Sequence, residues 1–190
     1  MIYTSNIPEG LIPDNEKDRL QHLYRYKVLD TLPEDAFDNI TKEVLRVFSS
    51  GKAFINFVDR DRTFFKSIAF KDAVDNDDNC DLMPRYTSFC AIAIQNKPIT
   101  VFGDTHNLPQ LMANPYVNGS IGNHNIRFYA AAPLCTPEGS QIGTLGTIDN
   151  IPHEVTHEQL LRLTQLAKKV MDELTMRLQL QQYVKGQLPN

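Results

Sequence analysis

The sequence predicts an α+β domain built on one antiparallel sheet of about five or six strands. Three observations carry that expectation. Ile126 to Asp149 holds two apolar runs joined by Thr136-Pro137-Glu138-Gly139, with proline and glycine at the turn positions that favour them, so it reads as a central β-hairpin. Apolar residues recur at helical spacing near both ends of the chain. Between them, short apolar runs alternate with polar turns, with no internal repeat and no low-complexity linker.

Residues 1–13 read as a loose lead-in, 14–185 as a single domain and 186–190 as a tail. A helix is predicted from about Asp14 to Val28, with Leu20, Leu23, Tyr24 and Val28 on one face. Thr31-Leu32-Pro33-Glu34 has the form of a capping box, and Phe37, Ile40, Val44, Leu45 and Phe48 make the stripe of the helix that follows. Lys52 to Val58 and Thr63 to Phe70 read as two strands around a polar turn. The acidic stretch 71–84 reads as a loop, and Ser88 is placed to cap a short helix running to Ile94. Pro98 to Phe102 is a further strand, followed by Asp104 at the start of a short helical turn. In the hairpin, Gly143 and Gly146 interrupt the second strand, where glycine marks close approach of another backbone or a ligand. The last element is a long helix from about Thr156 to Tyr183, opened by the capping box Thr156-His157-Glu158-Gln159. Its Leu163, Ala167, Val170 and Leu174 step by three and four, as a coiled-coil seam does, and predict a parallel homodimer.

Composition narrows the function classes. Apolar residues make up 42% and charged residues 22% of the 190, and the net charge is −4. Such a balance gives no electrostatic reason to expect nucleic acid or an anionic membrane as partner. No apolar run approaches the roughly 18 residues of a membrane span, and the first residues lack the form of a signal peptide. Cys80, Cys90 and Cys135 are odd in number and contain no CxxC pair, which reads as reduced thiols in a cytoplasmic protein.

Several segments share one likeness. Val28-Leu29-Asp30-Thr31, Pro33-Glu34 and Phe37-Asp38 open it, Phe65-Lys66-Ser67 and Ser88-Phe89-Cys90 follow, and Phe128-Tyr129-Ala130 with Ala132-Pro133-Leu134 and Ile142-Gly143-Thr144-Leu145 complete it. From about Asn15 to Val170 the chain resembles a GAF domain, of the branch found in bacterial sensor histidine kinases and diguanylate cyclases. It departs from that branch at Ala131, where glycine is common, at Gly146, where cysteine is common, and at Ile92, which replaces a frequent histidine. The resemblance implies long terminal helices on one face of the sheet and short helices and loops over a ligand pocket on the other. By segment it places Phe65, Ser67, Phe89, Cys90, Asp104, Phe128, Tyr129 and Thr144 near that ligand, although each suits a filled core equally. It implies a non-enzymatic sensory module of two-component or related signalling, which binds an unidentified small molecule and signals through its terminal helices to a partner protein. The competing readings are a thiol enzyme of the free methionine sulfoxide reductase type using Cys90, and a ligand-free dimerisation scaffold.

Other motifs weigh less. His153-Glu154-Val155-Thr156-His157 is a literal HExxH, but Pro152 and the cap at Thr156 split its histidines across a helix boundary, so no metal is expected there. Asp75, Asp77 and Asn79 mimic the start of a calcium loop, but the glycine position holds Cys80 and the glutamate position Tyr86. Asn118-Gly119-Ser120 is a sequon in a chain with no secretion signal. Cys90, near a predicted helix start, is either an activated thiol or a small buried residue. No residue pattern names a cofactor.

Overall fold

A computed structural model describes residues 10–71, 82–95, 98–121 and 125–187. The chain runs α1 (Glu16–Arg25), α2 (Asp35–Phe48), β1 (Lys52–Val58), β2 (Arg62–Phe70), β3 (Leu82–Pro84), α3 (Phe89–Ala93), β4 (Thr100–Phe102), β5 (Phe128–Cys135), β6 (Gln141–Asp149) and α4 (His157–Gln187). The strands form one six-stranded sheet in the order β3-β2-β1-β6-β5-β4, and each neighbouring pair is antiparallel. The α+β expectation holds, with one strand, β3, inside the stretch read as a loop. The calcium-like residues Asp75, Asp77 and Asn79, and Cys80, lie outside the described residues.

Period-two alternation divides the sheet's side chains between two cores. Ala53, Ile55 and Phe57 of β1 face one side with Phe128, Ala130, Ala132 and Leu134 of β5, beneath α1, α2 and α4. Phe54 and Val58 face the other, with Tyr129 and Ala131, beneath α3 and the loops. This is the layering the resemblance implied.

The hairpin turns where expected: the Gly139 N–H donates to the Thr136 carbonyl, and Gly139 takes a φ of +87°, which suits glycine. At the head of α4 the Gln159 N–H donates to Thr156 Oγ1 at 3.2 Å, and the Thr156 N–H to Gln159 Oε1 at 2.9 Å, a complete capping box.

The other expected box does not form. α2 starts at Asp35, and its N-cap Glu34 makes no side-chain cap bond. The competitor is Lys66, whose side chain is fully buried and whose ammonium donates to Thr31 Oγ1 at 2.7 Å and pairs with Glu34 Oε1 at 2.6 Å. A buried charge needs such partners more than a helix end needs one cap.

The homodimer seam needs a second correction. Leu163, Ala167, Val170 and Leu174 are no more than 4% exposed in the single chain, packed in the core with α2 and the sheet. Three-four spacing is also the spacing of a helix that covers a sheet, so the seam is consumed within the chain. Exposed apolar side chains come later in the same helix, at Met176, Leu180, Tyr183 and Val184. At 1.5 Å per residue the 31-residue α4 spans about 46 Å.

At the far end of the sheet, buried charges tie α1 down. Arg19, 1% exposed, donates Nη1 to the Val58 carbonyl at 2.7 Å and Nε to Glu16 at 2.7 Å. Arg85, just ahead of α3, donates to the same Glu16 and to the carbonyls of Leu11, Asp59 and Arg60. Burial pushes the Glu16 carboxyl up, but hydrogen bonds from Arg19 and Arg85 outweigh it and hold it at about 2.

Candidate functional site

The loop-covered face is floored by aromatic rings from four strands and roofed by α3. Phe54 of β1 meets Phe65 of β2 edge-on at 5.7 Å and stacks on Tyr129 of β5 at 6.3 Å. Phe89 of α3 sits 5.3 Å from Tyr129 and 6.1 Å from Phe102 of β4. These separations fall in the range of favourable ring pairs, so the rings pack on one another.

Within that apolar setting lies a small polar cluster. Ser88 caps α3 by accepting from the Cys90 N–H at 3.1 Å, which turns the Cys90 side chain down to the sheet. Asn56 Nδ2 donates to Cys90 Sγ at 2.9 Å, and Tyr129 Oη donates to the same sulfur at 3.5 Å. Thr144 Oγ1 donates to Asn56 Oδ1 at 3.2 Å, which fixes which end of the amide faces the thiol. Burial pushes the Tyr129 phenol well above its ordinary range, and the neighbouring Cys90 raises it further. The phenol is therefore a hydrogen-bond donor at neutral pH.

Of the eight residues placed near a ligand, Phe65, Phe89, Cys90, Tyr129 and Thr144 meet here. Two others lie on the opposite face. Phe128 packs among the helices, 4.6 Å from the His153 ring and 6.3 Å from Phe48. Adjacent strand residues point to opposite faces, so Phe128 and Tyr129 do not share a pocket. Ser67 is turned away by a β-bulge: Ile55 pairs with Ser67 and Asn56 with Phe65, leaving Lys66 as the extra residue. Counting by twos from Phe65 puts Ser67 on the loop side, but the bulge turns it to α2, where it donates to Asp38 at 2.6 Å. Asp104 lies off the cluster. It accepts the His106 N–H as a cap and a two-pronged bond from Arg127 at 2.7 and 2.6 Å. Those Arg127 bonds hold its carboxyl at about 2.

Asn56 was not singled out by the sequence reading. Its signal was there, since a polar amide in the apolar run Lys52 to Val58 must find buried partners.

The glycines of β6 make room for chain, not for ligand. A Cβ on Gly143 would lie 2.0 Å from the Asn56 carbonyl oxygen. One on Gly146 would meet Ala131 Cβ at 2.8 Å and Phe54 Cε2 at 2.9 Å. Ala131 and Gly146 are cross-strand partners, so the two departures from the family pattern face each other. A methyl gained on β5 is accommodated by bulk lost on β6.

On the helix side, a cleft of about 620 Å³ runs between α4 and β5, walled by Pro98, Ala132, Pro133, Cys135, Met171 and Met176. The exposed Cys135 opens onto it. The HExxH histidines are separate: His153 precedes α4 and bonds Asp149 through Nε2 at 2.8 Å, while His157 is the first residue of α4. Among the described residues no three His, Cys, Asp or Glu side chains gather as a metal site. No helix among them is long and apolar enough to cross a membrane.

A sheet between a helical layer and a loop layer, with a capped short helix over its centre, defines a three-layered α+β domain. The GAF domain family model matches residues 32–174, and the chain belongs to that family. It is 31% identical over 160 residues to the cyclic di-GMP phosphodiesterase PA2567 of Pseudomonas aeruginosa, covering 84% of this chain. The chain spans 26% of that relative's length. Among solved structures, the PixJ GAF domain of Thermosynechococcus elongatus aligns with a TM-score of 0.64 at 10% identity, covering 90% of this chain and 95% of that one. A domain of a two-component sensor histidine kinase protein from Sinorhizobium meliloti aligns at 0.56 and 15% identity, over 84% of this chain and all of that one. These two establish the fold alone. The expectation of a non-enzymatic module is corrected by this relative, since the protein that 84% of this chain matches is named for an enzymatic activity, the match spanning 26% of it.

Proposed function

We propose that this chain is the signal-receiving part of a cytoplasmic system that controls cyclic di-GMP hydrolysis. The observation that carries the reading is the 31% identity to a cyclic di-GMP phosphodiesterase, sustained over 84% of the chain. In this reading a small molecule enters between α3 and the aromatic floor. There it competes for the hydrogen bonds that Asn56, Thr144 and Tyr129 now make among themselves and with Cys90. A site of apolar walls with a few convergent polar groups suits a small, flat, partly polar ligand. The output leaves through the far half of α4, where Met176, Leu180, Tyr183 and Val184 offer an apolar stripe to a second copy or a partner protein.

The test has two arms. Native mass spectrometry of freshly purified protein should find a bound small molecule, and Asn56→Leu should abolish it. Cyclic di-GMP hydrolysis should then be assayed with this chain fused ahead of a phosphodiesterase domain, with and without that molecule. A hydrolysis rate indifferent to the molecule would sink the regulatory reading.

A further inference from the structure

Phe65 and Lys66 are neighbours on β2, yet they belong to different faces. Phe65 stands edge-on to Phe54 in the aromatic floor, while the Lys66 side chain, 0% exposed, points into the helical layer. Lys66 is the bulge residue, without a register partner of its own on β1, and the bulge breaks the regular ladder at this point. Its ammonium is held by Thr31 Oγ1, the Leu32 carbonyl and Glu34 Oε1, which use its three donors. Glu34 then offers its other oxygen, Oε2, to Arg177 of α4. Arg177 is braced by Glu173 at 2.8 Å one turn back. The Phe37 ring lies against both cations, 5.4 Å from Lys66 Nζ and 4.8 Å from Arg177 Cζ. Burial raises the Glu34 carboxyl, but hydrogen bonds from Lys66 and Arg177 bring it below its ordinary value, so it stays charged between them.

Arg177 stands where α4 changes character. Val170 and Leu174 before it are buried, and Leu180, Tyr183 and Val184 beyond it are 57–67% exposed. The carboxylate of Glu34 therefore sits between the β2 bulge and the point at which α4 leaves the body.

We propose that Phe65, Lys66, Glu34 and Arg177 form a latch through the sheet, by which a shift of the aromatic floor loosens or redirects the far half of α4. Any ligand that displaces Phe65 moves Lys66 with it, since the two share a peptide bond. Lys66 is too deeply buried to give up its carboxylate, so Glu34 follows Lys66 and leaves Arg177. This inference rests on the proposed signalling role of α4 for its purpose, but the latch can be tested with no ligand present.

Hydrogen–deuterium exchange of the full chain reads it directly. Arg177→Met keeps the Lys66–Glu34 pair and the contact with Phe37, and Phe65→Leu perturbs the floor without touching the ion pairs. Both should raise exchange of the amides of residues 176–184 by roughly three- to tenfold while leaving 157–170 unchanged. Arg177→Lys, which retains a cation for Glu34, should recover most of the protection. Unchanged exchange in 176–184 for either variant overturns the latch, as does a rise spread evenly along α4, which is general destabilisation. A failed ligand search leaves this result standing, so the two readings fail separately.

Discussion

The two faces of the sheet solve the same burial problem with different chemistry. Under the helices the core is largely aliphatic, with Leu, Ile, Val and Ala from α1, α2, α4 and alternate strand positions. Under α3 and the loops aliphatic residues still make up most of the core, but Phe54, Phe102 and Tyr129 gather with Phe89 into one aromatic group, and beside it lies a hydrogen-bonded group of Asn56, Cys90, Thr144 and Tyr129. The first arrangement is built for stability. Both faces bury polar groups, Lys66 and Ser67 on the helical one, but those of the second lie beneath a helix of only five residues, so it is the face that a competing ligand can rearrange.

The sharpest way to break the comparison is a charge on the helical face. Val170→Asp places a carboxylate at a fully buried position and should cost about 4 kcal/mol or more, seen as loss of the cooperative urea transition. If the protein stays folded and only its oligomeric state changes, the seam faces a second copy after all. Next comes the strand between the faces. Gly143→Ala drives a methyl to 2.0 Å from the Asn56 carbonyl oxygen and should cost about 3 kcal/mol, whereas Gly146→Ala meets Ala131 Cβ, the Ala130 carbonyl oxygen and the Phe54 ring at 2.8–2.9 Å and should cost about 2 kcal/mol. Equal costs would contradict the packing described.

Acid should act on the clamp at Glu16. Its folded pKa of about 2 lies below the unfolded value, so its stabilisation is complete above about pH 4.5 and lost as pH falls toward 2. Glu16→Gln should cost about 2 kcal/mol at neutral pH and flatten the acid limb of the urea-midpoint profile. An unaltered acid limb would remove Glu16 from the account. On the loop face, Asn56→Ala should cost roughly 1–2 kcal/mol and speed alkylation of Cys90, while Cys135 in the same protein reacts at once. Rapid alkylation of Cys90 in the wild type would restore the thiol-enzyme alternative. The smallest effect is expected at Leu180→Lys, within about 0.5 kcal/mol in stability, with light scattering showing loss of any dimer formed by the α4 stripe.

What the sequence disclosed follows the same division. The helices, β1 and the hairpin were legible because period and turn chemistry are local. The Thr156 cap was read correctly because the distant partner of Gln159, the Val47 carbonyl, takes only its Nε2 and leaves Oε1 for the cap, whereas the Thr31–Glu34 box failed because Lys66, distant in sequence, claims both residues. Likewise, Ser67 was assigned to the wrong face because a bulge adds one residue to the count, and no local signal announces the bulge. The seam from Leu163 to Leu174 was a correct pattern with two physical meanings, and only the packing of α2 beside it separates them.

Among the described residues the sheet ends on each side in a strand of three residues, β3 on one edge and β4 on the other, and β3 closes on Pro84, which has no N–H to donate. Such margins present a template too short for another chain to zip onto, a safeguard against fibrous aggregation. Copies of this domain are thereby steered away from strand-to-strand association. Crowding many of them together should leave them dispersed or joined side by side through helices, and dyes that report cross-β stacking should stay dark.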